Sequence, residues 1–204
     1  WPFTPAKAES NEKPTNVALG HMPVIHKPDA DVQAQLNIPD TGSPAADAYK
    51  MTDGIAANGA DWSDSTWFKF YRDSMREVVV DLEAVHTVDS LSMTFAQRSD
   101  VGIAPPLHVR YYASNDGIHY AFLGKAEPSV PLYFENVKPG AANKDVHKKT
   151  YKLDRIAGKP MHIQARYIKM TFVVEFNCWA DEIEIMGRPG VASGAEAPVS
   201  QPDP

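Results

Sequence analysis

Cysteine is nearly absent: Cys178 is the only one in 204 residues, so neither an intramolecular disulfide nor a cysteine-rich zinc site can form. A chain this long can bury enough surface to dispense with disulfides even outside the cell, and the redox compartment stays open. No apolar run is long enough to span a bilayer, and no charged and then apolar leader stands at Trp1. A start at Trp rather than Met is what a processed or excised piece would show. Positive charge is scarce too, with Lys+Arg 20 against Asp+Glu 26 and a formal net charge of −6, which leaves no electrostatic footprint for nucleic acid. The one basic stretch, KPGAANKDVHKKTYK, has no glycine-rich phosphate loop or basic helix beside it and reads as a solvated loop.

Catalytic signatures are missing as well. The seven histidines are scattered, and neither HExxH nor GxSxG occurs. Cys178 lies beside Trp179 in an apolar run, the setting of an inert buried thiol. Asp181, Glu182 and Glu184 sit near the end of an expected core strand rather than across a cleft. The chain is read as non-enzymatic.

What is present is alternation punctuated by turns. Pro 17 and Gly 12 imply many interrupted strands. The runs VVVDLEAV and VRYYASNDGIHYAFLG have the pattern of half-buried antiparallel strands. Strands are expected near Glu77–Leu82, Thr87–Ala96, Leu107–Ala113, His119–Leu123, Lys149–Leu153, His162–Phe176 and Glu182–Met186. That count suits a two-layer, all-β sandwich. In ARYIKMTFVV, Arg166, Ile168, Met170 and Phe172 share the better core face, with Ala165, Tyr167 and Lys169 opposite. The NDG at Asn115–Gly117 closes a tight turn. Residues 1–15 and 188–204, rich in Pro, Ala, Ser and Glu, read as a tail and a linker flanking one domain at 16–187.

The breaker-rich segments suggest two sites. Calcium is a hard cation that takes roughly six to eight oxygens from carboxylates and loop carbonyls. TDGIAANGAD offers Asp53, Asn58 and Asp61 for it. A sugar ring packs its C–H face on an aromatic plane while its hydroxyls seek amide, carboxylate or guanidinium partners. Trp62, Trp67, Tyr71 and Trp179 are the candidate platforms, with Arg72, Arg98, Asn177 and His108 as polar partners. The alternative is that these aromatics close the end of the core.

In order, NVALG at Asn16–Gly20, YKMTDG at Tyr49–Gly54, DW at Asp61–Trp62, REVVVDLEAVHTVDSLSM at Arg76–Met93, PLHVRYYASNDGIHYAFLG at Pro106–Gly124, ARYIKMTF at Ala165–Phe172 and DEIEIMG at Asp181–Gly187 resemble the galactose-binding-like family. These are the discoidin or coagulation factor 5/8 type C domains, which include bacterial carbohydrate-binding modules. The resemblance implies a jelly-roll sandwich of about eight antiparallel strands in two sheets, with the ligand site on loops at one end. It also implies a structural calcium held by the Asp of the DG turn and a Glu opening the last strand, here Asp53 and Glu182. The alternative is that Asp53 caps its own turn and Glu182 pairs with a surface cation. The expected function is a non-catalytic carbohydrate-binding module of a larger extracellular or cell-surface bacterial protein. It would be covalently linked to neighbouring domains, with a glycan as partner, no nucleic acid and no membrane insertion. A structural or protein-binding accessory domain, or an ancillary domain of a glycoside hydrolase, is the alternative.

Overall fold

Val78, Val80 and Leu82 bury one parity of their strand, and Leu91, Met93 and Phe95 bury the other parity further along the same strand. A chain can do this only by turning a corner between them. The computed structural model describes residues 13–28, 42–59, 61–71, 74–128 and 146–203. Arg72, most of the N-terminal tail and part of the lysine-rich stretch lie outside them.

Eleven strands are found among the described residues. They are β1 (Thr15–Asn16), β2 (Val24–His26), β3 (Phe68–Tyr71), β4 (Ser74–Gln97), β5 (Val109–Ser114), β6 (Ala121–Ala126), β7 (His147–Leu153), β8 (Arg155–Ile156), β9 (Lys159–Pro160), β10 (Ile163–Val174) and β11 (Asn177–Pro189). Short 3-10 helices cover Ala45–Met51 and Ser99–Val101. No helix among the described residues is long and apolar enough to cross a membrane.

The first part of β4 pairs with β2 and with β10, which also meets His86–Val88 past the corner, and β10 continues through β5 to β6. The last part of β4 pairs with β7 and β11, and the far edge of β11 carries β1 and β3. Between the two parts Glu83 takes a left-handed backbone with φ 64°, and its N–H is caught by Asp81 Oδ1 at 2.8 Å. One strand thus belongs to both layers of a jelly-roll sandwich, as the sequence leads one to expect. The β8–β9 hairpin stands apart.

The core fills the gap between the layers. Phe95 meets Phe172 and Tyr151 edge to face at 5.1 and 5.4 Å, contacts worth about 1 kcal/mol each beyond area burial. Ile168, Met170 and Phe172 point inward as the alternation predicts. Arg166 and Ala165 correct it, because the register shifts between Ala165 and Tyr167. That bulge turns Ala165 into the core and sends Arg166 out to a bidentate pair with Asp81.

Gly187, the last residue of the DEIEIMG motif, sits at a second shift, where a Cβ would lie 2.3 Å from the Thr87 carbonyl oxygen. Because backbone cannot yield cheaply, Gly187→Ala is expected to cost about 3 kcal/mol. A fall in the urea midpoint at unchanged slope would show it.

The ends are tied down. Asn16 Oδ1 accepts from Ala18 and Ile185 N–H at 3.1 and 3.0 Å, stapling β1 to β11. The segment read as a linker from 188 onward runs along the sandwich instead. Pro189 is still in β11, Gln164 N–H bonds Glu196 O at 2.9 Å, Gln201 N–H bonds Phe122 O at 2.7 Å, and Asp203 pairs with Arg110.

Candidate functional site

The loop from Asp53 to Asp64 enters β3 by way of Trp67 and is shaped by its own acidic residues. Three Asx turns punctuate the segment: Asp53 Oδ1 accepts Ile55 N–H, Asp61 Oδ1 accepts Ser63 N–H and Asp64 Oδ1 accepts Thr66 N–H, each at 2.8 Å. The Ser63 hydroxyl and N–H hold the Asp61 carboxyl below the usual carboxylate range. Asp61 is therefore engaged locally, under the charges of Asp64 and Arg98. Asn58 contributes to the same turns through its carbonyl, which accepts Asp61 N–H at 3.2 Å.

The strand opposite, β11, carries an extra residue where Ala180 to Ile183 face only Phe95 to Met93 of β4. A bulge lets consecutive side chains address the same neighbour, and both Asp181 and Glu182 reach the loop. Asp181 is 3% exposed and fully engaged. Its Oδ1 accepts Ala57 N–H at 2.7 Å and its Oδ2 accepts Lys148 Nζ at 2.6 Å.

Glu182 is the opposite case: among the described residues, neither of its buried carboxylate oxygens has a hydrogen bond of good geometry, and its neighbours are the Gly54 N–H and the Asp53 carboxyl. The Asp53 carboxyl stands beside it and can share a proton with it only if one of the two is neutral. Burial first, then Asp53, then the charge of Asp181 push the Glu182 carboxyl up to about 7. Two facing carboxylates, one of them partly desolvated and poorly compensated by donors, have the chemistry of a hard-cation site. These residues fit calcium. Among the described residues no three His, Cys, Asp or Glu side chains converge, so further protein oxygens would come from main-chain carbonyls or from amide and hydroxyl side chains.

The aromatic residues divide. Trp67 and Trp179 are 1% and 2% exposed and pack with Ala57, Ala96 and Ile103. This corrects their assignment as sugar platforms. Their indole N–H groups donate inward, Trp67 to Asp61 O at 3.0 Å and Trp179 to Trp62 O at 2.9 Å. They hold the loop rather than a ligand. Tyr71, half-buried, stacks edge-on to Trp179 at 5.3 Å.

Trp62 is only partly buried, and Arg98 lies 5.9 Å from its ring centroid. Arg98 is clamped by Asp100 through two bonds of 2.7 and 3.0 Å. The same loop reaches Asn177 through Ala104 N–H to Asn177 O at 2.9 Å. The neighbouring Phe176 is 55% exposed. Gly102, at φ 69°, makes room for its ring, since a Cβ there would lie 3.2 Å from it. Trp62, Arg98 and Asn177 are thus brought to one end of the molecule, joined by Asp100 and Phe176. The sequence reading missed both additions. The sequence alternation carries a strand through to Phe176, whereas it ends at Val174, and Asp100 shows only as an acid two residues after Arg98. His108 sits elsewhere, where burial first and then Arg110 and Lys125 disfavour its proton.

No protein-family model and no curated protein sequence matches the chain. Solved structures do. A fucose-binding module from Streptococcus pneumoniae aligns with TM-score 0.50 at 15% identity, over 85% of this chain and 95% of that one. An F-lectin (fucolectin) from striped bass (Morone saxatilis) serum aligns with TM-score 0.51 at 17% identity, over 86% of this chain and 50% of that one. The chain has the galactose-binding-like fold. Identity at this level carries shape alone, and functions are grafted onto folds by their loops. In this galactose-binding-like sandwich the candidate site comprises Trp62, Arg98, Asp100, Phe176 and Asn177, together with the Asp53–Glu182 pair.

Proposed function

We propose that the protein is a non-catalytic, extracellular or cell-surface carbohydrate-binding module whose sugar site is the end surface around Trp62. The observation that carries this reading is the meeting of a partly buried indole, an exposed phenyl ring, a clamped guanidinium and the Asn177 amide at one end of the molecule. Apolar rings for the C–H face and fixed polar groups for hydroxyls are what a sugar requires. The S. pneumoniae module and the bass lectin, both described as fucose- or sugar-binding, support the ligand class. Asp53 and Glu182 hold a calcium ion that secures the loop bearing Trp62. Attached domains would gain local concentration on their substrate.

The test is a glycan array followed by titration, with fucose- and galactose-terminated oligosaccharides and plant and bacterial polysaccharides. Trp62→Ala is expected to weaken binding at least tenfold, about 1.4 kcal/mol, with little change in melting temperature. No binding to any glycan would sink the proposal. The burial of Trp67 and Trp179 favours the second reading, an accessory domain whose aromatics are internal. A Trp62→Ala variant that loses stability but no ligand would establish that reading instead.

A further inference from the structure

We propose that Asp181 is a positioning residue that transmits calcium binding at Asp53 and Glu182 to the Trp62 surface. The inference rests on the reading of that carboxylate pair as a calcium site. Three residues of β11 meet the loop in reverse order, as teeth of one zipper. Glu182 lies against Asp53, Asp181 holds Ala57 N–H at 2.7 Å, and the Trp179 indole holds Trp62 O at 2.9 Å. Ordinary alternation would turn one of two consecutive side chains away from the loop. The extra residue between Ala180 and Ile183 puts Asp181 and Glu182 on it together.

Of the three contacts the middle one is the stiffest. Asp181 is buried with both oxygens used, and its Lys148 partner lies 5.5 Å from the Trp67 ring centroid. The Trp67 indole in turn grips Asp61 O. Ordering the start of the loop with a cation therefore removes freedom from its far end through Ala57. A sugar binding at Trp62 would then find part of its ordering cost already met. By reciprocity the sugar would tighten calcium by the same factor.

The experiment is residue-resolved hydrogen exchange by NMR with calcium chloride as the only added ligand. The Trp179 indole N–H reports the far end of the loop and the Ile55 amide the near end. In the wild type, saturating calcium is expected to slow both about tenfold. In Asp181→Ala the Ile55 response remains and the Trp179 response disappears. Asp181→Asn, which keeps an acceptor for Ala57, restores it. A merely structural role would shift exchange with and without calcium alike, leaving the calcium response intact. If Asp181→Ala does not fold, Lys148→Met cuts the link from Asp181 to Trp67 while keeping the aliphatic stem, and the Trp67 indole should then lose its calcium response while the Ile55 amide keeps its own. The proposal is overturned if calcium leaves the wild-type Trp179 indole unmoved, or if Asp181→Ala responds as the wild type does. No response at either end removes the calcium site itself, while the glycan array would still judge the sugar site separately.

Discussion

Trp179→Ala is expected to cost about 3–5 kcal/mol of folding stability, the range for deleting a large buried aromatic. The ring is 2% exposed and lies in the cluster of Ala57, Trp67, Ala96 and Ile103, with Tyr71 edge-on to it. Its loss opens a cavity that surrounding β-structure can only partly close. It also frees the Trp62 carbonyl from its indole donor. For a domain of this size a loss of this order lowers the melting temperature by roughly 10 °C. Trp62→Ala keeps the backbone carbonyl that Trp179 holds and gives up a ring that is only partly buried, so it should cost much less, about 1 kcal/mol. Thermal melts of the two variants side by side check this. Equal losses would mean that Trp62 is also a packing residue and that the end surface has no ring to spare for a sugar.

Calcium should change the sign of what Glu182 does. Without the ion, the folded-state carboxyl titrates near 7 rather than at its ordinary 4.5, so the folded protein binds a proton more tightly than the unfolded one. Stability is then full below about pH 4.5 and falls as pH rises toward 7. After discounting for solvent screening of a half-buried group, the loss is about 2 kcal/mol. Calcium needs the ionised carboxylate, so its affinity should rise over the same interval and reverse the loss. At a hundredfold excess over Kd the gain is about 2.7 kcal/mol, or roughly 5–10 °C in melting temperature. Glu182→Gln should melt no lower than the wild type in a chelator at pH 8, and calcium should leave it unmoved. A calcium-dependent shift retained by Glu182→Gln would place the ion elsewhere.

Much of the layering was legible because it depends on period. Val78, Val80 and Leu82, then Ile168, Met170 and Phe172, announce their buried face in the alternation itself, and burial follows it. Reading failed where the period slips. Ala165 and Arg166 exchange faces at a bulge, and Asp181 and Glu182 share a neighbour at another. A single inserted residue leaves no compositional mark. The Asp53–Glu182 pair, 129 positions apart in the sequence, came from the order of motifs, and the structure sets the two carboxyls side by side. The tryptophans were misassigned for a different reason. A loop aromatic looks the same in sequence whether it faces solvent or plugs the sandwich, and only the hydrogen bonds of Trp67 and Trp179 to the loop backbone separate them from Trp62. Phe176 was hidden by the apolar run preceding it, which continues the strand pattern past the point where the backbone turns.

The corner at Glu83 has a consequence for how the molecule comes apart. In a sandwich made of two separate sheets, one sheet could in principle peel away while the other kept its hydrogen bonds. Here the strand from Ser74 to Gln97 has a stretch paired on both flanks in each layer, Glu77–Val79 in one and Leu91–Phe95 in the other, and rupture of either layer leaves a broken ladder in the other. Opening is therefore all or none, and the amides of those doubly flanked stretches should exchange only through global unfolding. A protease that needs an opened chain would meet either the whole fold or none of it.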